Sequence, residues 1–230
     1  MEEVKIIQVK QSVFADNDRD ADRLRQQLKQ EKTFLLNLMS SPGSGKTTLL
    51  LALAKALQGR VRMAVMEADI DSAVDARIML EAGVPAVQIH TGGMCHLDAD
   101  MARQGLAQLD TENVDLVVLE NVGNLVCPAE FDTGAVKNMT ILSVPEGHDK
   151  PLKYPLMYET CHLLVVSKMD VLPYFDFDTQ KVVEYAKMRN PDIAVQFVCA
   201  KTGEGMDALA DWIVEQVQQW NRENDSLREF

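Results

Sequence analysis

The chain has 230 residues, 47% of them hydrophobic, and a formal net charge of −12 at pH 7. That length and apolar content suit one folded domain with a sizeable core and exclude a disordered chain. The acidity argues against a nucleic-acid binder, which needs a basic face. No apolar run reaches the roughly 18 residues of a membrane span.

Residues 1–5 show neither the basic nor the apolar region of a secretory leader, so the expected location is cytoplasmic. Residues 4–13 read as an extended or irregular lead. A helix is predicted over 16–29, with Ala21, Leu24 and Leu28 on one face. The apolar run 34–39 predicts a buried strand, and the leucine- and alanine-rich run after Thr48 a core helix ending near Gly59. Strands are predicted over 61–66 and 86–89, joined by a helix that Asp71 or Ser72 caps and that runs to about Glu81. A loop at 91–96, a helix over 98–109 and a strand over 114–119 follow. Residues 121–134 read as a long loop bearing Gly and Pro. A strand over 139–144, a polar turn-rich stretch over 146–155, a strand over 163–167, a helix over 179–189, a strand over 194–198 and a helix over 207–220 complete the pattern. Strands alternating with helices predict an α/β fold with a mostly parallel sheet and helices on both faces. Residues 1–220 are expected to form one domain, 1–32 being its lead and first helix, and 221–230 a polar tail. Ligands of such folds bind outside the carboxyl ends of the strands.

The stretch Ser40-Ser41-Pro42-Gly43-Ser44-Gly45-Lys46-Thr47-Thr48 lies between the first strand and its helix. Strand, glycine turn, Lys-Thr and helix is the P-loop arrangement, so the domain is expected to be of the P-loop NTPase type. Gly43, Ser44 and Gly45 turn the backbone so that its N–H groups face an anion, and the helix start adds its dipole. Lys46 can reach the β- and γ-phosphates, the Thr47 hydroxyl can ligate Mg²⁺, and Thr48 extends the phosphate contacts. The motif asks for Gly where Ser40 stands. A second acid near Mg²⁺ is expected at the end of an apolar strand. Glu120 fits that place. Gly123 follows it and can sense the γ-phosphate. Asp69, after the neighbouring strand, can bind Mg²⁺ or orient the attacking water, and it can equally be a turn residue. Asp75 and Arg77 are further polar candidates.

The base is read later in the chain. Ser167-Lys168-Met169-Asp170 resembles the Asn-Lys-x-Asp box of GTPases, with Ser in place of Asn. The Asp170 carboxylate can accept from the guanine N1–H and 2-amino group, donors that adenine lacks, and the Lys168 stem can cover the purine. Cys199-Ala200-Lys201-Thr202-Gly203 resembles the Ser-Ala-Lys box, in which a backbone N–H meets guanine O6. In order after a P-loop, the two boxes favour GTP over ATP.

Four cysteines are far apart and form no C-x-x-C pair, so no disulfide framework is expected. Cys95-His96 and Cys127 lie in loops that share one edge of the sheet. Two thiolates and an imidazole suit Zn²⁺ or Ni²⁺, while plain burial explains the spacing as well. Cys161-His162 precedes a strand, away from that edge, and reads as structural.

These segments resemble the HypB-type GTPases, nickel-insertion accessory proteins of nickel–iron hydrogenase. The resemblance rests on 38–50, on Cys95-His96-Leu97-Asp98-Ala99, on Glu120-Asn121-Val122-Gly123-Asn124-Leu125-Val126-Cys127-Pro128-Ala129, and on 146–155. It covers about 10–215. It implies slow hydrolysis of GTP to GDP, a dimer that forms around nucleotide, and Cys95, His96 and Cys127 as ligands of Ni²⁺ or Zn²⁺ near the dimer interface. Lys46, Thr47, Glu120, Lys168 and Asp170 match nucleotide and Mg²⁺ positions, and Lys150 lies in a motif that reaches across the dimer. A HypA-like nickel protein and the hydrogenase large subunit are the implied partners. Residues 1–32 contain neither Cys nor His, so no nickel-storing segment is expected there. The rival readings are a urease-type nickel GTPase, a metal-binding scaffold with a vestigial nucleotide site, and an ATP-dependent kinase.

Overall fold

The structure, a computed structural model, describes residues 4–69, 74–91, 93–109 and 111–226, without the side chains of 4–15, 69 and 224–226. The apolar runs form strands β1 (Phe34–Ser40), β2 (Met63–Asp69), β3 (Ala86–His90), β4 (Leu116–Glu120), β5 (Lys137–Ser143), β6 (Leu163–Ser167) and β7 (Ala194–Phe197). They make one seven-stranded sheet in the order β3-β2-β4-β1-β5-β6-β7. Every pairing is parallel. The carboxyl ends therefore share one edge, and β1 lies at its centre with β4 on one side and β5 on the other. The central strands are buried on both faces, which is why they read as continuous apolar runs.

The helices are α1 (Val4–Glu31), α2 (Lys46–Leu57), α3 (Val74–Glu81), α4 (Ala99–Leu106), α5 (Cys127–Glu130), α6 (Lys150–Lys153), α7 (Pro155–Glu159), α8 (Thr179–Arg189) and α9 (Met206–Ser226). Strand alternation sorts the core. Leu36 and Leu38 of β1 pack with Leu49, Leu50 and Leu53 of α2 and Leu209 and Ile213 of α9. Leu35 faces the other way, onto Leu24 and Leu28 of α1 and Ala102 and Leu106 of α4. Met39 joins a third group with Met157 and Tyr158 of α7 and Val182 and Ala186 of α8. Full burial of each such leucine contributes about 1.5–3 kcal/mol.

Several boundaries differ from the sequence expectation. Residues 4–13 are helical and continuous with the predicted 16–29 helix, so α1 starts at Val4. Val4, Ile6, Ile7, Val9 and Val13 favour extended chain by propensity. A helix already formed downstream lowers the cost of adding residues, because nucleation is the unfavourable step. At the other end α9 runs to Ser226, past the expected stop at Trp220. The polar stretches 121–134 and 146–155 hold the short helices α5 and α6. The cap proposed at Asp71 or Ser72 lies outside the described residues.

Candidate functional site

The turn after β1 is built by two glycines. Gly43 (φ 75°) and Gly45 (φ 97°) both take left-handed backbone, which costs glycine nothing. Gly45 is the N-cap of α2, so Lys46 and Thr47 open the helix with its unpaired N–H groups facing the turn. Ser40 needs no such freedom, since its φ is negative. Its buried hydroxyl donates to the Ser41 carbonyl at 3.0 Å and accepts from Ser44 Oγ at 2.8 Å. A serine at this place pins the loop that a glycine would leave slack.

Beside the turn lies a cavity of about 360 Å³ lined by Pro42, Gly43, Lys46, Glu67, Asp75 and Glu120, with Asn121 to Gly123 at its rim. Lys46 Nζ is 3.5 Å from Glu120 Oε1. Thr47 Oγ1 donates to Asp75 Oδ1 at 3.0 Å. Glu67 and Glu120 face each other across β2 and β4. Burial and the neighbouring Glu120 push the Glu67 carboxyl far above the usual carboxylate range. Burial raises Glu120 as well, against the pull of its hydrogen bond with Glu67 and of Lys46. Two carboxyls sharing one buried place disfavour each other's charge. Glu67 Oε1 and Glu120 Oε2 are buried with no hydrogen-bond partner. Such orphaned oxygens are costly, and with the Thr47 hydroxyl at the same place this donor set fits a hard cation such as Mg²⁺. Asp69 closes β2 in register with His90; its side chain lies outside the described residues. Asp75 joins the cluster, whereas Arg77 is exposed and lines neither this cavity nor the next.

Glu67 escaped the sequence reading because the predicted strand ends one residue short of it. The available signal was an acid on the strand beside that of Glu120. Asn121 is a second omission. Its buried amide donates to Asn37 Oδ1 at 3.2 Å and anchors the start of the 121–134 segment to β1.

A second cavity, about 220 Å³, lies on the other side of the turn. Ser44, Gly45, Thr48, Lys168, Asp170, Ala200 and Lys201 are among its lining residues. Lys168 takes left-handed backbone (φ 61°) and its Nζ donates to the Gly43 carbonyl at 2.7 Å. Ser167 Oγ donates to the Ser44 carbonyl at 3.1 Å. The serine that replaces Asn thus ties the base-side loop to the phosphate-side turn.

The two thiol-bearing segments meet at the same edge of the sheet. Cys95 is exposed and Cys127, the first residue of α5, is half-buried. The neighbouring Cys127 thiol raises the Cys95 thiol, and desolvation adds to it. Cys95 Sγ lies 4.0 Å from His96 Nδ1. Burial lowers the His96 imidazole, which favours the neutral form that binds metals. Its ring stacks on Phe131, with centroids 3.7 Å apart. The thiols are neighbours, but among the described residues no three His, Cys, Asp or Glu side chains form a metal-holding group. Two sulfurs and a neighbouring imidazole fit a soft or borderline cation in type, with the imidazole turned onto Phe131. The other pair is structural. Cys161 is buried, and burial raises its thiol strongly. His162 Nδ1 accepts from the Asn138 N–H at 3.1 Å. Lys150 Nζ lies 5.3 Å from the centre of the Tyr154 ring.

A parallel sheet, a glycine turn after its central strand, Lys46-Thr47 at the helix start and a buried acid closing β4 define a P-loop nucleotide-binding protein. Residues 34–197 match the family model described as CobW/HypB/UreG, nucleotide-binding domain. The chain is 47% identical over 212 residues to the hydrogenase maturation factor HypB of Azotobacter vinelandii, covering 92% of this chain and 70% of that one. It is 42% identical to the HypB of Escherichia coli K12, covering 94% and 74%. The crystal structure of HypB from Helicobacter pylori in complex with nickel superposes with a TM-score of 0.85 at 36% identity, covering 89% of this chain and 96% of that one. The chain belongs to the HypB family of hydrogenase maturation factors. No helix among the described residues is long and apolar enough to cross a membrane.

Proposed function

We propose that this chain is a cytoplasmic GTPase that binds nickel or zinc and assists nickel insertion into nickel–iron hydrogenase. In this reading its GTP state governs metal affinity and homodimer formation, and a HypA-like nickel protein and the hydrogenase large subunit are its partners. The nickel in the Helicobacter pylori HypB structure supports the metal half of the reading.

The observation that carries the coupling is a contact. A Cβ on Gly123 would lie 3.2 Å from Pro42 Cγ and 3.3 Å from Pro42 N. The β4 loop therefore rests directly on the phosphate-side turn. Gly123 lies four residues before Cys127, whose thiol neighbours that of Cys95. A γ-phosphate that draws the Gly123 N–H inward pulls on the segment that carries a thiol. The shift is bounded by how differently the two loop states bind each ligand.

For hydrolysis, Thr47, Glu120 and Asp69 would hold Mg²⁺, which would supply charge neutralisation to the phosphates. Lys46 leaves Glu120 and turns to the phosphates. Gly43, Ser44, Gly45 and Thr48 cradle the phosphates. Lys168 lies along the purine, Ala200 offers its N–H to guanine O6, Lys201 borders the base, and Asp170 accepts from guanine N1–H and the 2-amino group. In Asp170→Asn, GTP affinity is expected to fall about a hundredfold, since a donor then faces a donor where a charged hydrogen bond stood. Titration with a fluorescent guanine nucleotide checks this. Unchanged affinity would show that Asp170 does not read the base.

A further inference from the structure

The two thiol-bearing segments come from distant parts of the chain, and something must hold them at one spacing. Among the described residues, Asn17 of α1 hydrogen-bonds both segments. Its Oδ1 accepts from the Ala99 N–H at 3.0 Å. Its Nδ2 donates to the Asp132 carbonyl at 2.9 Å. Ala99 opens α4 three residues after His96, and Asp132 follows Cys127 by five residues. One amide thus spans both segments just beyond the thiol region.

The rest of α1 seats the second segment. Arg25 forks onto the Asp132 carboxylate at 2.9 and 2.6 Å, a charge-assisted bidentate pair of the strong kind. Asp132 Oδ1 also accepts the Gly134 N–H at 2.9 Å. Gly134 has left-handed backbone (φ 75°), and a Cβ there would come within 2.8 Å of Leu24 Cδ2. The turn at 132–134 is pressed against α1 closely enough to demand glycine. Between clamp and thiols, the stack of His96 on Phe131 links the segments again, and Asn124 Nδ2 reaches the Cys95 carbonyl at 3.5 Å.

We propose that Asn17 is a positioning residue for the Cys95–Cys127 site, its amide holding the two segments in register while Arg25 seats the second on α1. The metal part of this inference rests on the metallochaperone reading; the juxtaposition of the thiols does not. Groups that orient metal ligands from outside the ligand set are worth about ten- to a hundredfold in affinity. Asn17→Ala removes both hydrogen bonds. Asn17→Asp keeps the acceptor for Ala99 but sets a carboxylate oxygen against the Asp132 carbonyl. Arg25→Lys keeps the charge and loses the fork.

The test has two arms on the full chain. In the metal-free protein, diamide oxidises Cys95 and Cys127 to a disulfide. The two thiols lose two protons and two electrons, and diamide is reduced to its hydrazine. The rate reads how often the sulfurs meet. In the second arm Ni²⁺ is titrated and thiolate-to-metal absorption recorded. GDP affinity in the same samples reports the folded state. Expected for Asn17→Ala and Asn17→Asp is slower disulfide formation, about tenfold weaker nickel binding or more, an altered absorption band and unchanged GDP affinity. Arg25→Lys should fall between them and wild type. Wild-type disulfide rates in both Asn17 variants would overturn the clamp. A slowed disulfide in a protein whose wild type takes up no nickel supports the clamp and fails the metallochaperone reading instead.

Discussion

Replacing Lys46 with alanine is expected to lower GTP turnover by about a hundred- to a thousandfold, the usual loss when one preorganised donor to a developing charge is removed. Two features make Lys46 the choice. It opens α2 directly after the left-handed Gly45 and lines the phosphate-side cavity. Its ammonium also pairs with Glu120 at 3.5 Å. Truncation removes the charge that would follow the phosphates. The fold should tolerate the loss, because the raised carboxyls can take up a proton in place of the missing cation. Phosphate release with saturating GTP, read beside a thermal melt, checks this. Turnover within tenfold of wild type would mean that the cavity at Pro42 and Glu120 is not where hydrolysis occurs, and the scaffold reading would then gain.

Replacing Cys127 with alanine is expected to weaken Ni²⁺ or Zn²⁺ binding on the order of a thousandfold, the share of one ligand in a site of few ligands. Cys127 opens α5 beside Cys95. Cys161 and Cys199 are buried elsewhere and supply the control. Cys161→Ala should keep its metal and lose only stability, since a small core cavity replaces the thiol. Stoichiometric binding by Cys127→Ala, measured by titration against a chromophoric chelator, would make the thiol pair structural. Nucleotide affinity should be unchanged, because Cys127 lines neither the phosphate-side nor the base-side cavity.

The parts of this molecule legible in the sequence were those encoded locally. The central strands announce themselves as short apolar runs, because both of their faces are covered. The turn at 40–48 is encoded by glycines that only a left-handed backbone requires, and Lys168-Met169-Asp170 by residue types at fixed spacing after β6. Juxtaposition was harder to see. Glu67 looks like the first polar residue after a strand until the β2–β4 register sets it opposite Glu120. Asn17 looks like a polar position on an exposed helix face, yet its partners lie 82 and 115 residues away. The lead at 4–13 misled because β-branched residues carry a local preference that continuity with α1 overrides. The convergence of Cys95 with Cys127 was anticipated from loops sharing one sheet edge. The turn of His96 onto Phe131 was not, because ring stacking leaves no trace in spacing.

The claim that most needs testing is that the phosphate-side turn and the thiol pair are one device, joined through Gly123 and Pro42. Nickel affinity measured with GDP and again with a non-hydrolysable GTP analogue, in parallel with the monomer–dimer equilibrium, tests it most directly. A coupled pair of sites should show a difference of about five- to 150-fold in affinity, or a matching shift toward dimer. Equal nickel affinity in both nucleotide states, with the dimer fraction unmoved, would contradict the account.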